Sequence, residues 1–167
     1  MGNKILLVAL FSLFIQITST AQSTLEFKEI IARIKAGETR FENINIIQGS
    51  EGFGYDSIVL KRGISFKYCT FPSIYLNNIY SESYLSFEDC QFVDDNLLEP
   101  VSLWVFDSHF KGIQIINSTF ENPIIIEISS FAPVTEASLE IRNSIAPKIS
   151  IDSTLFHGLR PASIWVS

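Results

Sequence analysis

Residues 103–122, LWVFDSHFKGIQIINSTFEN, repeat on a period of five. Cut into LWVFD, SHFKG, IQIIN and STFEN, they place Leu, Ser, Ile and Ser first, Val, Phe, Ile and Phe third, and Asp, Gly, Asn and Asn fifth. A helix repeats near 3.6 residues and a strand at 2, so neither element alone explains a five. The first and third residues of each unit are two apart and face the same way in extended backbone. The polar, turn-forming residues between them make a corner. Strand, corner, strand is a coil around an axis. Four fives close such a coil in about 20 residues, and coils stack at about 4.8 Å, the strand spacing.

The frame recurs at residues 64–83 as ISFKY, CTFPS, IYLNN and IYSES. Tyr84 is an extra residue, and LSFED and CQFVD follow. Residues 95–102 break the register, and residues 123–138, with Pro123 and Pro133, slip again. Residues 139–167 return to phase as LEIRN, SIAPK, ISIDS, TLFHG, LRPAS and IWVS. About six coils are predicted over residues 41–167, a stack on the order of 30 Å long. Residues 49–54 add a glycine-rich loop near its start. The Phe110 side chain points inward in this frame, so aspartate there would bury an unpaired charge.

A stack of coils buries each face only against its neighbours, so its ends need covers. Residues 23–36, STLEFKEIIARIKA, predict one helix. Ser23 and Glu26 have capping-box spacing. Phe27, Ile30, Ile31 and Ile34 form one apolar stripe. Arg33 and Lys35 suit the last turn, and Gly37 the stop. Too short to be stable alone, the helix fits the role of N-terminal cover.

Residues 1–21 read as a secretory signal. Lys4 is the basic start, residues 5–17 the apolar run, and Ser19 with Ala21 the small-x-small cleavage pattern, leaving Gln22 as mature N-terminus. The run is short for a membrane span and holds Gln16. The domain reading is therefore a signal peptide at 1–21, a capping helix at 22–40 and a solenoid at 41–167. Cleavage would leave 146 residues, with 11 basic against 18 acidic side chains because Lys4 departs. That acidity opposes binding to nucleic acid backbones or anionic membranes.

The alternation of small and large inward residues on a period of five resembles the pentapeptide-repeat proteins over residues 64–167. The segment EIIARIKAGE ahead of FENINI is similar to a helix-led subgroup of that family. The resemblance implies an all-β fold, a right-handed parallel β-helix of quadrilateral section. Where the family prefers Ala first, this chain alternates Ile and Leu with Cys, Ser and Thr, which predicts a distorted section. Stretches such as IQIINSTF and ISFKYCTF also fit the three-sided β-helix of polysaccharide lyases, and a β-sandwich stays open as well.

Cys69 and Cys90 hold first positions 21 residues apart, one coil plus Tyr84, and so fall in one inward column on adjacent coils. Stacked Cα atoms at that spacing lie within disulfide range, although parallel side chains give poor geometry for the bond. Two small buried thiols, akin to Ser108 and Ser118, are the other reading, and neither is catalytic. His109 and His157, the only histidines, lie beside inward Phe residues and face outward on different coils. Asp107 near His109 lacks a nucleophile and reads as a surface contact. Glu88, Asp89, Asp94, Asp95 and Glu99 form the densest acidic run, whose spacing matches no calcium loop and reads as a solvated face. The 49–54 loop lacks a phosphate loop's Lys and following helix. Asn117-Ser118-Thr119 matches a glycosylation sequon in pattern only, with Ser118 expected inside. No catalytic, metal or cofactor site is predicted.

Outward aromatics at Trp104, Tyr75, Tyr68 and Trp165 are the remaining candidates for a glycan or protein platform. Aromatics folded over corners or under the 95–102 and 123–138 loops are the competing reading. At the C-terminal coil an open strand edge predicts an end-to-end homodimer, a chain continuing past Ser167, or cover by loops.

Three functions of different classes follow. The first is an exported, non-enzymatic structural or binding module for a protein or glycan, with no nucleic acid partner and no membrane after signal cleavage. The second comes from the resemblance: some cytosolic family members mimic duplex DNA in shape and charge and bind DNA gyrase. A small β-helix polysaccharide-acting enzyme is the third.

Overall fold

Parallel strands stacked from one turn to the next build this chain. The computed structural model describes residues 22–48, 55–56, 58–93, 100–127, 129–131, 139–152, 155–156 and 164–166. In chain order the elements are β1 (Ser23–Glu26), α1 (Phe27–Lys35), β2 (Arg40–Glu42), β3 (Ile44–Ile47), β4 (Tyr55–Asp56), β5 (Val59–Leu60), β6 (Ile64–Lys67), β7 (Thr70–Phe71), β8 (Ile74–Asn77), β9 (Tyr80–Glu88) and β10 (Gln91–Phe92). They continue with β11 (Leu103–Phe106), β12 (His109–Ile116), β13 (Thr119–Phe120), β14 (Ile124–Glu127), β15 (Ser130–Phe131), β16 (Leu139–Arg142), β17 (Ile149–Asp152), β18 (Leu155–Phe156) and β19 (Ile164–Val166). The named strand pairs are all parallel, and consecutive turns stack into three sheets, giving a parallel β-solenoid of about four turns.

One turn shows the logic. Ile64, Phe66, Cys69, Phe71, Ile74, Leu76, Ile79 and Ser81, the first and third residues of four successive fives, are all buried. The corners after β6 and β8 are turned by Tyr68 and Asn78, at φ 54° and 53°. Asn43, Asp89, Asn117 and Asn143 turn the corner equivalent to Tyr68 on other turns, and Asp107 the one equivalent to Asn78. Asn and Asp tolerate this left-handed backbone because their short polar side chains bond locally. The fifth-position Asn and Asp residues are therefore what bends the chain.

Phenylalanines fill the interior in columns. Phe41, Phe66 and Phe87 stack at 5.0 and 5.5 Å, and Phe71, Phe92 and Phe120 at 5.0 and 4.2 Å. The two columns meet edge to face, Phe66 against Phe71 at 5.1 Å, so Phe66, Phe71, Phe87 and Phe92 touch other rings both face-on and edge-on.

Two expectations are corrected. The step between stacked residues is 21 from Phe66 to Phe87, as the extra Tyr84 predicts, and widens to 28 from Phe87 to Ile115, across the predicted register break. The six predicted coils accordingly reduce to about four turns. At Pro123 the frame slips by one residue, as expected: Ile124 and Ile126 of β14, buried and aligned with Leu103 and Val105 of β11, lie 21 residues after them. The predicted helix also starts late. Ser23–Glu26 is a strand paired with Ile44–Ile47, and Glu26 is the true cap, forming a capping box with Glu29 one turn after the predicted one. Backbone pairing along β3 satisfies four residues that a helix would have taken.

The apolar stripe of α1 is as predicted: Phe27, Ile30 and Ile31 are buried in the same core as the first turns, with Ile34 packed against it. Arg33 and Lys35 lie in the last turn, and Gly37 follows at φ 99°. No described helix is long and apolar enough to cross a membrane. Residues 1–21 and 49–54, where the signal and the glycine-rich loop were predicted, lie outside the described residues.

Candidate functional site

In the sheet of β4, β8, β11, β14 and β17, the inward residues of each strand leave their alternate neighbours on the outer face. Tyr75 and Asn77 of β8, Trp104 and Phe106 of β11, Ile125 and Glu127 of β14, and Ser150 and Asp152 of β17 are aligned in register. The result is a grid two residues wide. Tyr75 and Trp104, directly opposite on neighbouring turns, have ring centroids 5.8 Å apart at 52°. Trp104 and Phe106, two apart on one strand, lie at 5.6 Å and 46°. The indole Nε1–H of Trp104 donates to Glu127 Oε2 at 3.3 Å, which fixes the indole against rotation. Each of these side chains is half-buried except that of Asp152, which is exposed. The strip is aromatic at its centre and carries an amide at one end and carboxylates at the other. Aromatic faces accept apolar C–H surfaces, and flanking carboxylates and amides accept and donate to hydroxyls.

The sequence singled out Tyr75 and Trp104 but did not place them together. They are 29 residues apart, well beyond a uniform coil, because the register break near residue 100 falls between them. Phe106 and Glu127 were missed. The available signal was their position, fourth in their fives, which puts each on the same side as the second residue. The side chains of Trp165 and His157, with Asp94, Asp95 and Glu99, lie outside the described residues.

The other predicted residues play structural parts. Tyr68 is exposed at a corner, not on the sheet face. His109 stacks on Tyr80 of the preceding turn at 5.0 Å, while Asp107 turns the corner before it. Glu88 and Asp89 face Lys67, whose Nζ is 2.6 Å from Glu88 and 4.0 Å from Asp89, so this part of the acidic run is ion-paired rather than merely solvated. The hydrogen bond that Lys67 donates to Glu88 holds its ammonium above its ordinary pKa. Asn117 is exposed at its corner, donating to Asp89 Oδ1 at 3.2 Å and accepting from Asn143 at 3.3 Å, and Ser118 is buried. Among the described residues no group of three or more His, Cys, Asp or Glu side chains could hold a metal ion.

Cys69 and Cys90 are free, buried thiols on adjacent turns. Each donates to the carbonyl two residues back, Lys67 O and Glu88 O, at 3.3 Å. A hydrogen bond shared with Cys69, together with burial, pushes the Cys90 thiol well above its usual pKa. The same bond lowers the pKa of the Cys69 thiol, and burial keeps both sulfurs away from a solvent reagent.

Compared with known proteins, the chain matches no family model, no curated protein and no solved structure.

Proposed function

We propose that this chain is an exported, non-enzymatic binding module of the pentapeptide-repeat type, quadrilateral in section, whose aromatic strip engages a glycan. The observation that carries the reading is the register of Trp104 on Tyr75, which sets two rings side by side on a sheet face with Phe106 and Glu127 next to them. A sugar ring presents an apolar face and an edge of hydroxyls, and the strip offers partners for both. The family and the section rest on four strand segments per turn with buried residues recurring every five, as at Ile64, Cys69, Ile74 and Ile79. Export rests on the pattern of residues 1–21.

Affinity electrophoresis through gels containing soluble polysaccharides tests the binding. Retardation by at least one polysaccharide, abolished in Trp104→Ala, is expected; equal migration in every gel would remove the glycan. Fractionation and intact mass of the full chain in a bacterial host test export. A chain starting at Gln22 outside the cytoplasm is expected, whereas an unprocessed cytosolic chain would make gyrase supercoiling the assay to run.

A further inference from the structure

Near the C-terminal end of α1 a surface groove of about 290 Å³ lies between that helix and the β5–β6 connection. Its floor is Ile34, Ile58, Leu60 and Ile64, and Val59, 58% exposed, stands at its side. Those four floor residues also line a wholly apolar void of about 40 Å³ in the core beneath α1. One layer of aliphatic side chains is thus shared between groove and void. The rim is cationic: Lys35, Lys61 and Arg62 line it, against a single carboxylate, Glu38, which is 3.8 Å from Arg33 outside the groove. Among the described residues Lys61 and Arg62 have no acidic partner. Three cations around an apolar floor stand out in a chain whose net charge is −6.

We propose that this groove binds a small amphipathic anion, a carboxylate bearing one unbranched aliphatic tail. The head is held by Lys61, Arg62 and Lys35, and the tail lies over Val59 and the shared aliphatic layer. Charge selects the head, because an anion arriving at an acidic protein is repelled elsewhere and attracted here. Apolar burial holds the tail, as in other concave sites with few polar groups. The size of the groove suits one chain rather than a bilayer surface. An unbranched tail is the shape that can follow a narrow apolar layer toward the void.

Isothermal titration of the full chain with decanoate, decanol and acetate tests the proposal at neutral pH, below the micellar concentration of decanoate. Saturable decanoate binding is expected, with decanol weaker and acetate undetectable. The double variant Lys61→Glu, Arg62→Glu changes only exposed side chains and is expected to raise the decanoate Kd by about tenfold or more. Lys61→Gln, Arg62→Gln gives a smaller rise and guards against a folding defect in the first pair. Decanol binding is expected to change little in either variant. No decanoate binding by the unaltered chain, or binding unchanged in both variants, would overturn the proposal. Decanol binding as tightly as decanoate would overturn the role of the cations.

Discussion

The hydroxyl of Ser118 bridges two turns of the solenoid: it accepts the backbone N–H of Cys90 at 3.1 Å and donates to Ile116 O at 3.0 Å. Ser108 does the same for Ile79 and Phe106, at 3.0 and 2.9 Å. The residue following each left-handed corner has a backbone N–H that the corner turns away from the strand ladder. A hydroxyl from the next turn supplies the missing acceptor. Removing it leaves a buried donor unpaired, which costs roughly 1–3 kcal/mol. We expect Ser118→Ala to lower stability by that amount in urea unfolding. Ser118→Cys is expected to cost less, since Cys69 and Cys90 occupy equivalent positions. The Ile116 carbonyl also accepts from Asp89 N at 3.0 Å, so the loss falls on Cys90. Alanine and cysteine behaving alike, with no loss, would remove the bridge from the account.

Tyr68 holds a left-handed corner, at φ 54°, where equivalent turns use Asn43, Asp89, Asn117 and Asn143. An ordinary L-residue there is strained by about 1–2 kcal/mol, and asparagine relieves part of this. The ring is half exposed and, among the described residues, offers a contact with Lys67 at 5.1 Å in return. Tyr68→Asn is therefore expected to stabilise the chain by about 0.5 kcal/mol net, read as a small upward shift in thermal midpoint. A drop in the midpoint would mean that the ring contributes more than its geometry shows.

The frame of fives was legible because burial of two residues in every five is a demand each turn makes separately. Ile64, Phe66, Cys69 and Phe71 obey it whatever happens elsewhere. Stacking between turns was less legible. The extra residues between Phe92 and Leu103 change the step without changing the local pattern, so Tyr75 and Trp104 gave no sign of being neighbours. The start of α1 was misplaced because Ser23 with Glu26 and Glu26 with Glu29 offer similar capping spacing. Pairing of Ser23–Glu26 with the distant strand Ile44–Ile47 decides between them. Ser108 and Ser118 looked like small core residues, since an inward hydroxyl and an inward methyl fit the same pattern. Only the corner backbone shows what the oxygen does.

Cys69 and Cys90, each 1% exposed, sit in the wall of the Phe-filled core. Their shared hydrogen bond and burial keep the Cys90 thiol protonated at neutral pH. We expect no alkylation by iodoacetamide in the native chain over hours, and two adducts per chain once denaturant unfolds it. Rapid native labelling would contradict the burial. Full protection that persisted in denaturant, until a reductant was added, would reveal a disulfide in place of the two thiols.

Lys67 and Glu88, aligned on β6 and β9, link neighbouring turns through a 2.6 Å contact. The Lys67 pKa is raised above 10.5, first by its hydrogen bond to Glu88, against the opposing effect of desolvation. A cation with a raised folded pKa adds stability that is fully present below its unfolded pKa and is lost as pH climbs through the folded value. The window is alkaline, beginning at about pH 10.4. Lys67→Met removes the charge and keeps the aliphatic stem, so its urea midpoint is expected to lie slightly below that of the unaltered chain near neutral pH. The gap closes as pH rises through the alkaline window, where the native lysine loses its own charge. A surface pair like this one is also screened, so salt narrows the gap at neutral pH. A gap that stayed constant from neutral to strongly alkaline pH would place the cost of Lys67→Met in packing and not in the link between turns.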